Sequence, residues 1–272
     1  MADPVALNGT TRRAAALVDE AAWAAAREYA VAPHTAVEET SRVRWLITGA
    51  PYEGLNGVYW AAADTEVRQA LRPFQEAEVP MLWHVGPTSA RHLPAALPAA
   101  GLSHYGNEPG MLLDLDQPSS RWQSPEHLEI RWVGTEAQLR AWVRVWAGPA
   151  NRLIVERLVA LRAPAAFGVG ARTPHLLGVL HGEPVACAAV WVGRMSGLSP
   201  RPTAWLEHVA VRIAARRRGF GTAMTLACLD IARRRGASHA ALTASPVAGS
   251  LYRALGFRQV CTVRRYLWTP GG

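Results

Sequence analysis

The segment best suited to chemistry is a turn rich in glycine and arginine in the second half of the chain. It joins a β-like run to an apolar helical run and comprises Arg216, Arg217, Arg218, Gly219, Phe220, Gly221 and Thr222. Glycines let the main chain approach an anion closely, and the first amides of a helix point outward with the helix dipole behind them. Arginines add charge-assisted contacts. The pattern predicts a phosphate-binding turn, although a plain tight turn between strand and helix would use the same glycines.

The elements around this turn follow from periodicity and turn residues. Strands are predicted at 128–133, 176–181, 185–192 and 205–211, with a hairpin turn at 182–184 and a Gly/Ser/Pro-rich loop at 193–203. Helices are predicted at 135–145, 151–162 and 222–232, the first opened by a capping box at Thr135 and Gln138.

The first half shows a similar alternation. Helices are predicted at 12–29, 65–76 and 93–99, and β-like runs at 43–48, 58–61, 81–85 and 111–115. The composition of 118–125 indicates a linker, which divides the chain into domains 1–120 and 126–272. A weak internal repeat relates 80–115 to 239–268, so the two halves are expected to share one fold.

Composition sets broad limits. The 272 residues are 50% apolar and carry a net charge of +8, which suits an anionic partner. All 29 basic residues are arginine, which indicates a GC-rich, bacterial coding bias. Without a signal-like start or a long apolar run, we expect a cytoplasmic protein with no membrane partner. The three cysteines are too widely spaced for a metal or redox pair, so buried thiols and no metal are expected.

Three motifs in order resemble the GNAT superfamily of acyltransferases. Arg216, Gly219 and Gly221 match its Gln/Arg-x-x-Gly-x-Gly/Ala signature, and residues 206–211 look like its central strand. Residues 251–257 match the Leu-Tyr-x-x-x-Gly-Phe found late in these domains, whereas Ser245 replaces a frequent Asn. The resemblance implies an α/β (α+β) fold of two tandem GNAT-like domains, each a mixed, mostly antiparallel sheet flanked by helices.

The resemblance also implies a cofactor site for acetyl-CoA. Its members would be Val209, Ala210 and Val211 on the strand, residues 216–222 in the turn, and Ser245. In the first half the equivalent turn, 61–66, lacks glycine and carries Asp64 and Glu66, whose charges would repel pyrophosphate. The first half is therefore expected to be a degenerate copy that does not bind coenzyme A.

The implied reaction is acetyl transfer from acetyl-CoA to a primary amine of a small molecule or protein, by direct attack. Glu207 is the candidate base, or else a structurally paired carboxylate; Tyr252 is the candidate acid for the thiolate, or else a packing residue. The Val209 amide would hold the carbonyl oxygen. His208 is expected on the opposite face of the strand, with Glu183 and His181 as reserves. Trp142 and Trp146 would cage a cationic amine or belong to the core.

Two other functions remain open. A non-catalytic coenzyme A sensor would bind the cofactor without turnover. An aminoacyl-tRNA-dependent transferase would show salt-sensitive RNA binding, but a complete pyrophosphate turn and the lack of an RNA-binding motif make nucleic acid the weaker expectation.

Overall fold

The computed structural model describes residues 9–117, 125–148, 152–167, 170–195 and 197–271. Three parts of the sequence lie wholly or mainly outside these residues: the predicted linker at 118–125, the start of the chain and the predicted helix start at Asn151. The helices are α1 (Gly9–Arg27), α2 (Val67–Glu76), α3 (Leu93–Ala99), α4 (Glu136–Ala147), α5 (Arg152–Ala166), α6 (Phe220–Arg234) and α7 (Gly249–Ala254). The strands are β1 (Ala36–Glu39), β2 (Val43–Ile47), β3 (Gly57–Ala61), β4 (Met81–Val85), β5 (Ser103–Asp114), β6 (Leu128–Trp132), β7 (His175–Leu180), β8 (Glu183–Gly193), β9 (Thr203–Val211), β10 (His239–Thr243) and β11 (Arg258–Trp268).

Most predicted elements are present, and the differences have local causes. β1 was not predicted because it is a short edge strand without an apolar alternation. The apolar run predicted at 111–115 covers only the end of β5. The first part of this strand is polar and largely exposed, so apolar periodicity does not indicate it. At the start of α4 the hydroxyl of Thr135 accepts a hydrogen bond from the Gln138 amide (3.2 Å). The Gln138 side chain accepts from the Gly134 amide (2.8 Å), one residue earlier than in a standard capping box.

Within the described residues the strands form one mixed sheet of eleven strands. Their order is β1-β2-β3-β4-β11-β5-β10-β9-β8-β7-β6. Two neighbouring pairs, β3–β4 and β9–β10, are parallel, and the other pairs are antiparallel. The sheet is therefore open and mostly antiparallel, as predicted, but it runs continuously through both halves of the chain.

The two halves exchange their last strands. β5, the final strand of the first half, pairs with β10 of the second, and β11, the final strand of the second half, pairs with β4 of the first. β5 and β11 also pair with each other along most of their length. The internal repeat is thus real, as β4-α3-β5 and β10-α7-β11, but each copy completes the sheet of the other.

Helices cover both faces of the sheet. α6 packs on β7 to β10 on one face of the second half, while α4 and α5 pack on the other. α2 and α3 enclose the core of the first half. α1 crosses the join between the halves, where Val18, Ala21 and Ala25 share a core with Leu112, Trp205 and Ala241. A helix from the first half thus lies directly over strands of the second.

Two further observations concern the chain as a whole. Cys187, Cys228 and Cys261 are free thiols; the first two are buried and the third half-buried, and burial raises the pKa of the Cys261 thiol to about 12. Among the described helices, none has both the length and the apolar character needed to cross a bilayer.

Candidate active site

The strand β9 has an irregularity at its centre. β9 pairs with β8 at Glu207 and again at Ala210. Between these two pairs β9 advances by three residues, whereas β8 advances by only two. The extra residue forms a bulge at His208, whose φ is +55°. As a result the side chains of Glu207 and His208 both reach the guanidinium of Arg162 and lie on the same side. The expectation that they face opposite ways is wrong, because strict alternation holds only for a regular strand.

Beyond the bulge, β9 separates from its other neighbour. The parallel pairing of β9 with β10 ends at Trp205. The amide of Arg212 donates to the carbonyl of Val185 on the β8 side (2.9 Å). Because amides alternate along a strand, those of Val209 and Val211 point to the opposite side, where β10 has diverged. The edge predicted to receive a thioester therefore has open donors.

The turn after β9 leads into a helix whose first amides are uncapped. α6 begins directly after Gly219, which has φ +78°, a conformation that favours glycine. No side chain caps this end and no acidic residue lies in the first turn. Arg216, Arg217 and Arg218 are all exposed around it. Free amides, a helix dipole and arginines together make a site for an anion.

Two further contacts shape this turn. The Nε of Arg216 donates to the carbonyl of Val211 (3.1 Å), so this side chain closes the loop. A Cβ on Gly221 would lie 3.1 Å from the end of the Leu251 side chain, which would have to shift by a few tenths of an ångström to admit it. The turn is thus packed against the segment that carries Tyr252.

A fully buried arginine, which no sequence pattern singles out, organises the bulged strand β9. Arg162, on α5, has 0% exposure and pairs with Glu207 (3.3 Å) and with the Nε2 atoms of His175 and His208 (both 3.0 Å). Its guanidinium also lies 4.7 Å from the Trp142 ring and 5.3 Å from the Trp146 ring. These two tryptophans do enclose a cation, but it is one from the chain itself. The proposed cage for a substrate amine is therefore already filled.

Glu207 receives a further hydrogen bond from the first half. The hydroxyl of Tyr29, in the short 3-10 helix Glu28–Val31, donates to Glu207 Oε1 (2.6 Å), the same oxygen that Arg162 contacts. Within the described residues Oε2 has no hydrogen-bond partner. The carboxylate is thus fixed through one oxygen and leaves the other for a ligand.

The charge state of this cluster follows from its burial. Burial alone would raise the pKa of Glu207, but contacts with His208, Arg162 and Tyr29 together hold it well below its usual range. Burial and the nearby Arg162 lower the pKa of His208 as well, and they lower that of His175 to about 3. Because both imidazoles are then neutral at pH 7, Arg162 supplies the permanent positive charge that keeps Glu207 ionised, and Tyr29 and His208 add hydrogen bonds.

Tyr252 closes the cavity on the other side. It lies on α7, is 7% exposed, and its ring contacts that of Phe257 edge-on at 5.6 Å. Burial raises the pKa of Tyr252 above its ordinary value, so the hydroxyl keeps its proton at neutral pH.

A single cavity of about 450 Å³ brings these groups together. Among the predicted site residues, Glu207, Val209, Ala210, Ser245 and Tyr252 line it, whereas Val211 and residues 216–222 lie outside its lining. His181 and Glu183, the reserve candidates, lie outside it as well. The first half supplies much of the remaining wall, through Asp19, Tyr29, Tyr52, Tyr59, His84 and Glu108. In the described part of the chain, no group of three or more potential ligands could hold a metal ion.

The sequence profile of the acetyltransferase (GNAT) family matches residues 121–257, half of the chain, and this range contains the bulged strand, the turn and Tyr252. The chain belongs to the GNAT acetyltransferase family. The matched range includes the Arg216, Gly219 and Gly221 signature at the uncapped end of α6. No curated protein sequence matches the chain significantly.

Solved structures of GNAT proteins share the fold over nearly the whole chain. A GCN5-related N-acetyltransferase from Kribbella flavida is 19% identical, with a TM-score of 0.67 over 95% of this chain and 96% of its own. A tandem GNAT protein from the clavulanic acid biosynthesis pathway, solved without AcCoA, is 17% identical with a TM-score of 0.56, covering 99% and 98%. A GNAT-family protein described as an acetyltransferase from Novosphingobium aromaticivorans is 14% identical with a TM-score of 0.55, covering 87% and 92%. These likenesses show that both halves belong to a known tandem fold.

The first half keeps the GNAT strand divergence but fills it. β3 and β4 pair only at Gly57 and Val58 before separating. The carbonyl of Ala61 accepts from the Ala90 amide (3.2 Å), in the segment that follows β4. The indole of Trp60 donates to a carbonyl of the same segment (3.1 Å). The slot that stays open in the second half is occupied here by the chain itself.

Proposed function

We propose that the protein transfers an acetyl group from acetyl-CoA to a primary amine. The observation that carries the proposal is the open edge of β9, which faces one cavity together with Glu207 and Tyr252 and leads directly to the uncapped end of α6. Pyrophosphate would lie at the turn 216–222, and the pantetheine arm would run along Val209 to Val211 past Ser245. Residues 126–272 would form the catalytic domain, and residues 1–120 a copy whose own slot is filled.

The chemistry assigns a role to each group. The amine lone pair attacks the thioester carbon while the Val209 amide holds the developing oxyanion. Glu207, ionised and open at Oε2, accepts the amine proton directly or through water. The carbon–sulfur bond then breaks, and Tyr252 donates its proton to the departing thiolate. The lowered pKa of Glu207 makes it a weak base, which favours relay through water.

The first test concerns cofactor binding. Acetyl-CoA is titrated calorimetrically into the wild type and into Gly221→Asp, which places a carboxylate in the first turn of α6. That carboxylate suits the helix dipole but repels pyrophosphate, so folding should survive while binding falls. Ala95→Asp, exposed in the first turn of α3, is the matched control because it changes the net charge equally. A folded wild type that binds no acetyl-CoA would contradict the proposal.

The second test concerns turnover. Release of the coenzyme A thiol is followed with a panel of amines for the wild type, Glu207→Gln and Tyr252→Phe. We expect each variant to lose about a hundredfold or more in kcat while keeping acetyl-CoA affinity. Stoichiometric binding without turnover of any amine would favour the sensor function, and salt-sensitive RNA binding would favour the aminoacyl-tRNA-dependent function.

A further inference from the structure

The wall of the cavity contributed by the first half includes a flat aromatic surface. The rings of Tyr59 on β3 and His84 on β4 stack at 4.7 Å with an interplanar angle of 9°. Burial lowers the pKa of His84 well below its usual range, so this surface is uncharged at neutral pH. Tyr59 lines the cavity together with Glu207 and with a second polar group, Arg265.

That second group is an ion pair on adjacent strands. Arg265, on β11, forms an ion pair through Nη2 with Glu108 Oε2 on β5 (2.6 Å), and the same Nη2 donates to the hydroxyl of Thr243 (3.1 Å). Within the described residues, Nη1 of Arg265 and Oε1 of Glu108 have no hydrogen-bond partner. The two side chains line the cavity with 21% and 18% of their surface exposed. The pair therefore offers a ligand one donor and one acceptor side by side.

Such a pair discriminates by charge. A carboxylate on the ligand would meet Glu108 and an ammonium would meet Arg265, so each is repelled by one partner. An apolar group would bury both open atoms without hydrogen bonds. A carboxamide satisfies both, since its oxygen accepts from Arg265 and its N–H donates to Glu108.

We infer that the acceptor is a small amine bearing a carboxamide, held by Glu108 and Arg265 against the Tyr59–His84 surface. The inference rests on the proposed function, because it takes Glu207 as the place of the reacting amine. In this inference, the residues that select the acceptor lie in the first half and on the exchanged strand β11.

The test uses three acceptors with one side chain: leucinamide, leucine and isopentylamine. Each is assayed with acetyl-CoA in the full-length wild type, Arg265→Gln and Glu108→Gln. For each acceptor, kcat/KM of the variant is divided by that of the wild type. The different basicities of the three amines cancel in this ratio. The control is Glu129→Gln, which removes an exposed Glu–Arg pair on β6, far along the sheet.

For Arg265→Gln we expect kcat/KM for leucinamide to fall about tenfold or more and that for isopentylamine to stay within about twofold. For Glu108→Gln we expect leucine to gain about tenfold relative to leucinamide, because the repulsion is removed. An equal change for all three acceptors would mean that the pair is only structural and would overturn the inference. Leucylglycine, tested alongside, separates a small amide from a peptide amino terminus as the source of the carboxamide.

Binding separates this inference from the proposed function. Leucinamide, leucine and isopentylamine are titrated into the complex with coenzyme A. Leucinamide binding that weakens in Arg265→Gln supports the acceptor site even if nothing is acetylated, in which case the proposed function alone fails. A protein that acetylates other amines but binds leucinamide no better than isopentylamine overturns the inference and leaves the proposed function in place.

Discussion

The hydroxyl of Tyr29 donates a 2.6 Å hydrogen bond to Glu207, 178 residues further along the chain. Tyr29 belongs to the first half, and Glu207 lies on β9 in the second half. The candidate active site is therefore incomplete without the first half.

Removing this hydrogen bond should change the pH dependence of activity. Donation to a carboxylate stabilises its charged form, so Tyr29→Phe should raise the pKa of Glu207 and move the acidic limb of the kcat/KM profile to higher pH. The lost bond should also cost about 1.5–3 kcal/mol of stability. Tyr105→Phe is the control, since Tyr105 is exposed and bonds to Glu53 outside the cavity lining. An unchanged acidic limb in Tyr29→Phe would count against Glu207 as the titrating group.

Arg162→Met should be strongly destabilising. It leaves the carboxylate of Glu207 buried without its cation, which typically costs about 3–5 kcal/mol. Adding Glu207→Gln should recover part of this loss, because the unpaired charge is then gone. Urea unfolding of the wild type, the two single variants and the double variant gives the coupling free energy between Arg162 and Glu207. Arg152→Met, at an exposed position in the first turn of the same helix, is the control and should stay close to wild type.

His175 should make the protein less stable as the pH falls. Its pKa is about 3 in the folded state against an ordinary value of 6.5, so the unfolded chain binds the extra proton between these limits. Stability from the neutral imidazole is thus complete above about pH 6.5 and declines below it, by about 1.4 kcal/mol per pH unit. Asp19 acts in the opposite direction, since burial raises its pKa to about 6.

The contribution of His175 is isolated by comparing the wild type with His175→Gln. The difference between their free energies of unfolding is measured from about pH 7.5 to pH 4.5. Its slope against pH should correspond to the binding of about one proton on unfolding. Other groups, Asp19 included, cancel in this difference. A flat difference would show that His175 does not have a strongly lowered pKa.

The exchanged strands should make the halves inseparable. Expressed alone, residues 126–272 would present the free edge of β10, and β11 without either partner strand, and we expect aggregation. Co-expression with residues 1–120 should restore a soluble complex. As a control, a full chain carrying a protease site within 118–124 should remain one species in size-exclusion chromatography after cleavage. A folded, monomeric fragment 126–272 would contradict this expectation.

Much of this arrangement could be predicted from local sequence. Gly219, Gly221 and Tyr252 carry their signals in short motifs, and most strands and helices have clear periodicity. Arg162 could not be found in this way, because one arginine among 29 in an apolar helix looks like any surface arginine. The bulge at His208 and the partnership of Tyr29 with Glu207 depend on long-range packing, which periodicity does not record. The exchange of β5 and β11 could not be predicted, because the sequence pattern of a strand does not indicate which strand it pairs with.

The paired β5 and β11 also limit how the protein can move. In many two-part enzymes a cleft opens when one part swings away from the other about a flexible linker. Here such a swing would have to break a ladder that runs through both halves, besides the pairings of β5 with β10 and of β11 with β4. The width of the cavity is therefore set by the continuous sheet. For the proposed reaction, substrate entry and product release would rely on side chains and loops at its mouth, and a rigid slot of fixed width would select acceptors by size before any chemistry begins.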